Sequence, residues 1–149
     1  MKIDAVGKKD VVVWMALAKE VEPLFGPMVG QDDFHTAMKD IISSQNAFCA
    51  RDENGQALGI VAVDPEQNEI LWLAVSTGAR GNGIGKSLLT HAIACLDAKR
   101  PIHVQTFAAK VPAGMAARKL YLAAGFVDVT DSGLNPAGLP TILMEKAMN

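Results

Sequence analysis

Three observations predict a mixed α+β sheet fold. Strand-like and helix-like stretches follow one another as β-α-α-β-β-β-α-β-α-β-β, without the strict alternation of a βαβ protein. The Asn54-Gly55 pair between two apolar runs is a hairpin signal, so two of the strands run antiparallel. The stretch Glu69–Val75 is apolar on both faces, a pattern that belongs in the middle of a sheet. No repeat, low-complexity tract or linker interrupts the 149 residues, and that length buries a full core as one domain, residues 1–149.

Taken in order, residues 2–6 alternate weakly and make a first strand. Asp10 caps a helix that runs to about Phe25 and stops at Gly26-Pro27, although the β-branched Val11, Val12 and Val13 leave a strand open at its start. Residues 32–44 make a second helix with Phe34, Met38, Ile41 and Ile42 on its buried face. Ala47–Arg51 and residues 57–63 form the hairpin, a turn over 64–68 follows, and Glu69–Val75 is the central strand. A glycine-rich turn leads into a helix over about 83–98, and Pro101 introduces the strand Ile102–Phe107. Pro112 suits the first turn of a helix reaching Ala124, which Gly125 ends. Residues 126–130 and 141–146 are the last strands, with 131–140 a loop rich in glycine and proline.

Half the residues are hydrophobic and 20% are charged, a globular balance rather than a disordered one. A net charge of −2 and a pI near 5.9 argue against a nucleic-acid partner, which calls for a basic excess. No apolar run approaches the ~18 residues of a membrane span. Lys8-Lys9 before an apolar run imitates a signal peptide, but Asp4 and Asp10 interrupt the basic region and the helical stripe of Trp14, Leu17, Ala18, Val21 and Phe25 continues past the imitation cleavage site. Cys49 and Cys95 lie in apolar surroundings without metal-type spacing, which reads as buried, reduced thiols of a cytoplasmic protein.

The chemistry concentrates at Leu73-Ala74-Val75 and the following Arg80-Gly81-Asn82-Gly83-Ile84-Gly85-Lys86-Ser87, an apolar strand running through three glycines into a helix. Free N–H groups and the partial positive charge of a helix start make an anion site, and glycines let a ligand approach the backbone. A Walker loop needs glycine where Arg80 stands. A dinucleotide fingerprint fails whether counted from Gly81 or from Gly83, because its last glycine falls on Lys86 or Leu88. Arg80-Gly81-Asn82-Gly83-Ile84-Gly85 fits Arg-x-x-Gly-x-Gly and resembles the coenzyme A pyrophosphate loop of the GNAT superfamily of N-acetyltransferases. Leu120-Tyr121-Leu122-Ala123-Ala124-Gly125-Phe126 resembles that family's later Leu-Tyr-x-x-x-Gly-Phe signature, and the order of elements resembles the family along essentially the whole chain. One position departs: the family often has an asparagine early in the later helix, against the pantetheine arm, where this chain has Gly114.

The resemblance implies an α+β fold with a mixed, mostly antiparallel central sheet flanked by helices and a splayed parallel strand pair, Glu69–Val75 and Ile102–Phe107, that admits acetyl-CoA. Backbone of Leu73, Ala74 and Val75 would pair with the pantetheine amides and polarise the thioester carbonyl. Backbone from Arg80 to Gly85, with Lys86 and Ser87 nearby, would hold the pyrophosphate. The function implied is transfer of acetyl from acetyl-CoA to a primary amine, of a small molecule first and of a protein or peptide second, by direct attack in a ternary complex. Tyr121, the only tyrosine, matches the family's general acid, since a phenol is protonated at neutral pH and can donate to the departing sulfur; it would equally serve as a core residue. Glu69, sharing a face with Leu71, Leu73 and Val75 by strict alternation, is the candidate base, or else a solvated charge at a strand end. Asp32 and Asp33 stand at a helix start and could meet a cationic amine. His35, His91 and His103 have no spaced ligand partner, so no metal is expected, and Trp14 and Trp72 read most simply as core, although either could border the acceptor cleft. Acceptor choice is expected from residues 25–33 and 131–140. A homodimer through the final strands is implied by resemblance. The other class open to this sequence is a non-catalytic acyl-CoA-binding regulatory domain.

Overall fold

The computed structural model describes residues 1–148. Seven strands, β1 (Lys2–Ala5), β2 (Ala47–Arg51), β3 (Ala57–Asp64), β4 (Glu69–Val75), β5 (Ile102–Phe107), β6 (Phe126–Leu134) and β7 (Pro140–Lys146), form one sheet in the order β1-β2-β3-β4-β5-β7-β6. Every neighbouring pair is antiparallel except β4 and β5. Helices α1 (Val11–Phe25) and α2 (Asp32–Ser43) cover one face around Trp14, Leu17, Met38, Cys49 and Ile60. On the other face, α3 (Ile84–Ala94) and α4 (Met115–Ala123) bury Leu88, Leu89, Val61, Val104, Phe126 and Met144. Two apolar layers on a two-sided sheet explain why β3 and β4 carry few polar residues. No helix among the described residues is long and apolar enough to cross a membrane.

The parallel pair is short. Only Glu69 with His103 and Ile70 with Val104 are in register, and beyond them β4 and β5 diverge while each keeps its outer neighbour. The divergence begins at a bulge. Ala62 faces Trp72 but Val63 faces Ile70, so Leu71 is an extra residue on β4, and it is exposed. A bulge interrupts the ladder and increases twist, which turns the rest of β4 away from β5. It also moves Glu69 to the other face from the one strict alternation predicts: the carboxylate sits opposite Asp64 and shares a face with Trp72 and Ala74, not with Leu73 and Val75.

The closed end of the wedge is held by Asn68, which is 1% exposed and lies at φ +54°, a region asparagine tolerates. Its Nδ2 donates to the carbonyls of Asp97, Arg100 and Pro101 at 3.0, 3.2 and 3.0 Å, and its Oδ1 accepts from the Asp97 N–H at 2.8 Å. These bonds draw the chain out of helical geometry, so α3 ends at Ala94 and not at residue 98. Asn68→Ala removes a buried side chain and leaves the Asp97, Arg100 and Pro101 carbonyls without their donor, and is expected to cost about 2–3 kcal/mol of stability, measured by urea denaturation.

One open alternative is closed and one further expectation is revised. Val11, Val12 and Val13 are helical, because Trp14, Leu17, Ala18 and Val21 bury one face of α1 and override the weak local preference. Strand β6 runs on to Leu134 and shortens the predicted loop, with two register irregularities absorbing the glycine-containing stretch that reads as loop in sequence.

Candidate active site

The glycine-rich turn is shaped by Gly81 and Gly83, whose φ angles of +82° and +75° favour glycine. Gly85 differs. It lies inside the first turn of α3, and a Cβ there would meet Leu120 Cδ2 at 3.5 Å, an ordinary contact. Turn shape therefore accounts for two of the three glycines, while the third keeps the floor of a cleft open. Among the described residues, no backbone N–H from Gly81 to Lys86 has a protein acceptor; the helix ladder starts with Ser87 N–H donating to Gly83. Six free donors at the positive end of an eleven-residue helix, with Lys86 exposed beside them, suit a pyrophosphate. The turn is tied from both sides. Arg80 Nε donates to the Val75 carbonyl at 3.2 Å, and Glu20 of α1 accepts from the backbone and hydroxyl of Thr77.

From this turn a cavity of about 310 Å³ runs along the diverging strands, walled by Leu73, Ala74 and Val75 on one side and by Ala117, Leu120 and Tyr121 of α4 on the other. A second cavity, of about 370 Å³, continues through the wedge to Glu69. Leu73, Ala74, Phe107 and Tyr121 line both, so the two are halves of one cleft. Of the residues expected in the coenzyme site, Arg80, Gly81, Gly83, Ile84 and Gly85 also line the first half, whereas Asn82, Lys86 and Ser87 lie outside its wall. Asn82 instead donates from Nδ2 to the Ala79 carbonyl and shapes the turn. Free donors for phosphate, an unpaired strand edge for amides and an apolar slot between them fit acetyl-CoA chemically.

Tyr121 stands where the halves join. It is 5% exposed, its ring meets Phe126 edge-on at a centroid distance of 5.7 Å, and its hydroxyl has no hydrogen-bond partner among the described residues. Burial pushes its phenol well above the ordinary range, so the proton is held throughout neutral pH.

Glu69 ends the other half. Burial raises its carboxyl above the usual range and neighbouring Asp64 raises it further, while His103 acts in the opposite direction. The register aligns Asp64, Glu69, His103 and Glu145 across β3, β4, β5 and β7, and His103 Nε2 is 3.0 Å from Glu145 Oε1. This row was not legible in sequence, because its neighbouring members are 5, 34 and 42 positions apart and meet only through strand order.

The two segments expected to choose the acceptor touch. Asn135 Nδ2 donates to the Leu24 carbonyl at 2.8 Å, and Pro136 packs so close to Gly26 that a Cβ there would lie 2.6 Å from Pro136 Cβ. Gly26 also has φ +103°, so it serves both the helix exit and this close approach. Glu22 Oε2 accepts from the N–H groups of Met28 and Val29 at 2.8 and 2.9 Å, and these bonds lower its pKa. His35 Nε2 meets the Val29 carbonyl at 2.6 Å. Beneath this roof, the rings of Phe25 and Phe107 are 4.9 Å apart. Gly114 is explained here: a Cβ on it would lie 2.4 Å from Phe107 Cβ, so the space an asparagine would need belongs to Phe107.

The remaining candidates fall outside the cleft. Asp32 and Asp33 are exposed at the start of α2 and line neither half. Cys49 is buried as expected, and burial pushes its thiol up to about 11. Cys95 is exposed, contrary to expectation, because α3 ends at Ala94 and Cys95 caps it on the solvent side. Its thiol is raised too, so neither cysteine is an activated nucleophile. Trp14 is core and stacks at 5.7 Å on Trp72, which is only half-buried and borders the second half of the cleft. Sequence reasoning overlooked Phe107, Gln105 and Asn135. The alternation of His103, Gln105 and Phe107 along β5 was the signal that places them on one face.

No curated protein sequence matches this chain. Solved structures resemble it over 99% of its length. A ribosomal-protein-alanine N-acetyltransferase from Brucella melitensis superposes with a TM-score of 0.79 at 18% identity, over 100% of that chain. An N-acetyltransferase from Staphylococcus aureus Mu50 gives 0.76 at 21% identity over 98% of its chain. A GNAT superfamily phosphinothricin acetyltransferase from Sinorhizobium meliloti, in complex with AcCoA, gives 0.74 at 19% identity over 88% of its chain. At these identities the likeness concerns the fold. The family model for the GNAT acetyltransferase domain matches residues 18–148, and the protein belongs to the GNAT family of acetyl-CoA-dependent N-acetyltransferases.

Proposed function

We propose that the protein moves acetyl from acetyl-CoA to the primary amine of a small molecule, by direct attack within a ternary complex. The observation that carries this reading is the single roofed cleft, in which free N–H donors, an unpaired strand edge, Tyr121 and Glu69 follow one another. In this reading the pyrophosphate lies on the donors from Gly81 to Lys86, and the pantetheine arm runs along Leu73, Ala74 and Val75 as an added strand. A β4 N–H polarises the thioester carbonyl. Glu69 takes the ammonium proton of the acceptor, directly or through water, and the neutral amine attacks. Tyr121 donates its proton to the sulfur as the C–S bond breaks and is reprotonated by the second proton that the attacking nitrogen loses, leaving CoA thiol and the amide, while Glu69 releases the first proton to solvent. Free thiols at Cys49 and Cys95 suit a reducing compartment, and we place the reaction in the cytoplasm.

A thiol-release assay with acetyl-CoA and a panel of amines tests the proposal; tight acetyl-CoA binding without acceptor-dependent release would instead identify a binding module. The role of Glu69 predicts its own pH signature. The base works only when ionised, so kcat/KM falls as pH drops through the Glu69 pKa, which lies above the ordinary carboxylate range. Asp64→Asn removes a like charge and moves this acid limb to lower pH. His103→Gln removes the favourable influence of the His103 ring on the Glu69 carboxylate and moves it to higher pH. Two shifts of the same sign, or none, would remove Glu69 from the base role.

A further inference from the structure

We propose that the acceptor is a slender primary amine with an apolar body and no carboxylate beside its nitrogen. The inference rests on the acetyltransferase reading and names the substrate class of the same site.

Charge decides it. Of the side chains that line the Glu69 half of the cleft, Glu69 carries the one carboxylate, and no Lys, Arg or His is among the wall residues described; His103, beside Glu69 in the sheet, lies outside this wall and is 3.0 Å from Glu145 Oε1. The polar remainder is neutral, including Gln105, Asn135 and Thr141, and Gln105 Nε2 already donates to Thr141 Oγ1 at 3.1 Å. An amino acid bound with its amine at Glu69 would bring a carboxylate into this space without a counter-ion. It would lose hydration and also face the Glu69 charge. The body of an amine lacking that carboxylate meets the apolar part of the wall, from Val21, Phe25, Met28 and Trp72, and each buried CH₂ then contributes binding.

Width decides the rest. The Asn135 bond to Leu24 and the Gly26–Pro136 contact join the α1–α2 and β6–β7 segments above the cleft, and the Phe25–Phe107 pair narrows the way toward Tyr121. A cavity of about 370 Å³ roofed in this way takes a short aliphatic or monocyclic body more readily than a folded protein surface.

The test uses matched pairs of acceptors that differ by one carboxylate: phenethylamine against phenylalanine, and isoamylamine against leucine, with spermidine and an alanine-initiated peptide alongside. In acetyl-CoA assays of the full chain, each amine is expected to exceed its amino acid in kcat/KM by about 100-fold or more. Gln105→Arg, which adds a cation at the cleft wall, is expected to narrow that ratio by raising the amino-acid value. Amino acids equal to the amines, or spermidine or the peptide ahead of both, would overturn the inference and leave the transferase reading standing. Calorimetric titration of the same pairs into the CoA complex reads the cleft without turnover. Preferential binding of the amines with no acetylation would instead overturn the transferase reading and keep the selectivity of the cleft.

Discussion

Tyr121→Phe is expected to lower kcat by about 10²–10⁴-fold while leaving acetyl-CoA affinity and stability nearly unchanged. The separation follows from what the hydroxyl touches. The ring supports Phe126 and the α4 side of the core, and phenylalanine keeps that packing. The hydroxyl has no protein partner among the described residues, so its removal breaks no hydrogen bond of the fold. Burial holds the phenol protonated, since the charged phenolate has no cation to stabilise it there. Such a group is a poor acid toward bulk water but remains a hydrogen-bond donor to negative charge that develops beside it, which is what a departing thiolate presents. The same burial sets the sign of a pH effect. Loss of the Tyr121 proton would end activity on the alkaline side, and the raised pKa moves that limit above the ordinary phenol value near ~10. Stopped-flow measurement of thiol release, under conditions where chemistry limits the rate, checks both statements. An unchanged single-turnover rate would return Tyr121 to the core.

What could be read from the sequence divides along the range of the interactions involved. Glycine spacing, the helix start after Gly83 and the Leu120–Phe126 stretch are local patterns, and they point to the half of the cleft that we assign to the coenzyme because neighbouring residues alone determine them. Glu69 was found as a residue but put on the wrong face. Alternation is reliable only in an unbroken ladder, and the bulge at Leu71 depends on how β3 meets β4. Asn68 looked like part of a turn, because its four bonds go to a segment about thirty positions away. The Asp64–Glu69–His103–Glu145 row and the roof at Gly26 and Pro136 likewise come from strand order and tertiary packing. The acceptor half of the site is built almost wholly from such distant pairs, whereas the coenzyme half is built largely from one stretch of chain. A single sequence therefore discloses the donor substrate sooner than the acceptor.

Gly114 is the position where that difference has the largest structural consequence. Its φ of −92° is open to any residue, so backbone strain does not require glycine there. The requirement is the Phe107 side chain, whose Cβ, Cδ2 and Cγ would lie 2.4, 2.7 and 2.8 Å from an added Cβ, and whose ring also packs against Phe25. Phe107 begins at the end of β5 and cannot retreat as a flexible side-chain tip would. Gly114→Asn is accordingly expected to cost about 1–3 kcal/mol by overpacking, a fall in Tm of several degrees. Phe107→Ala is expected to cost about 3–5 kcal/mol, because it empties space between β5, α1 and α4. In the double variant the asparagine enters the vacated volume, and the combined loss should fall short of the sum by about 1–3 kcal/mol. Additive losses in a double-mutant cycle would mean that the two residues do not compete for one space. The cycle also bears on coenzyme binding. If Phe107 supplies by apolar contact what an asparagine supplies elsewhere by hydrogen bonding, Phe107→Ala raises the acetyl-CoA KM and the double variant restores part of it. A KM untouched by either change would confine the pair to packing alone.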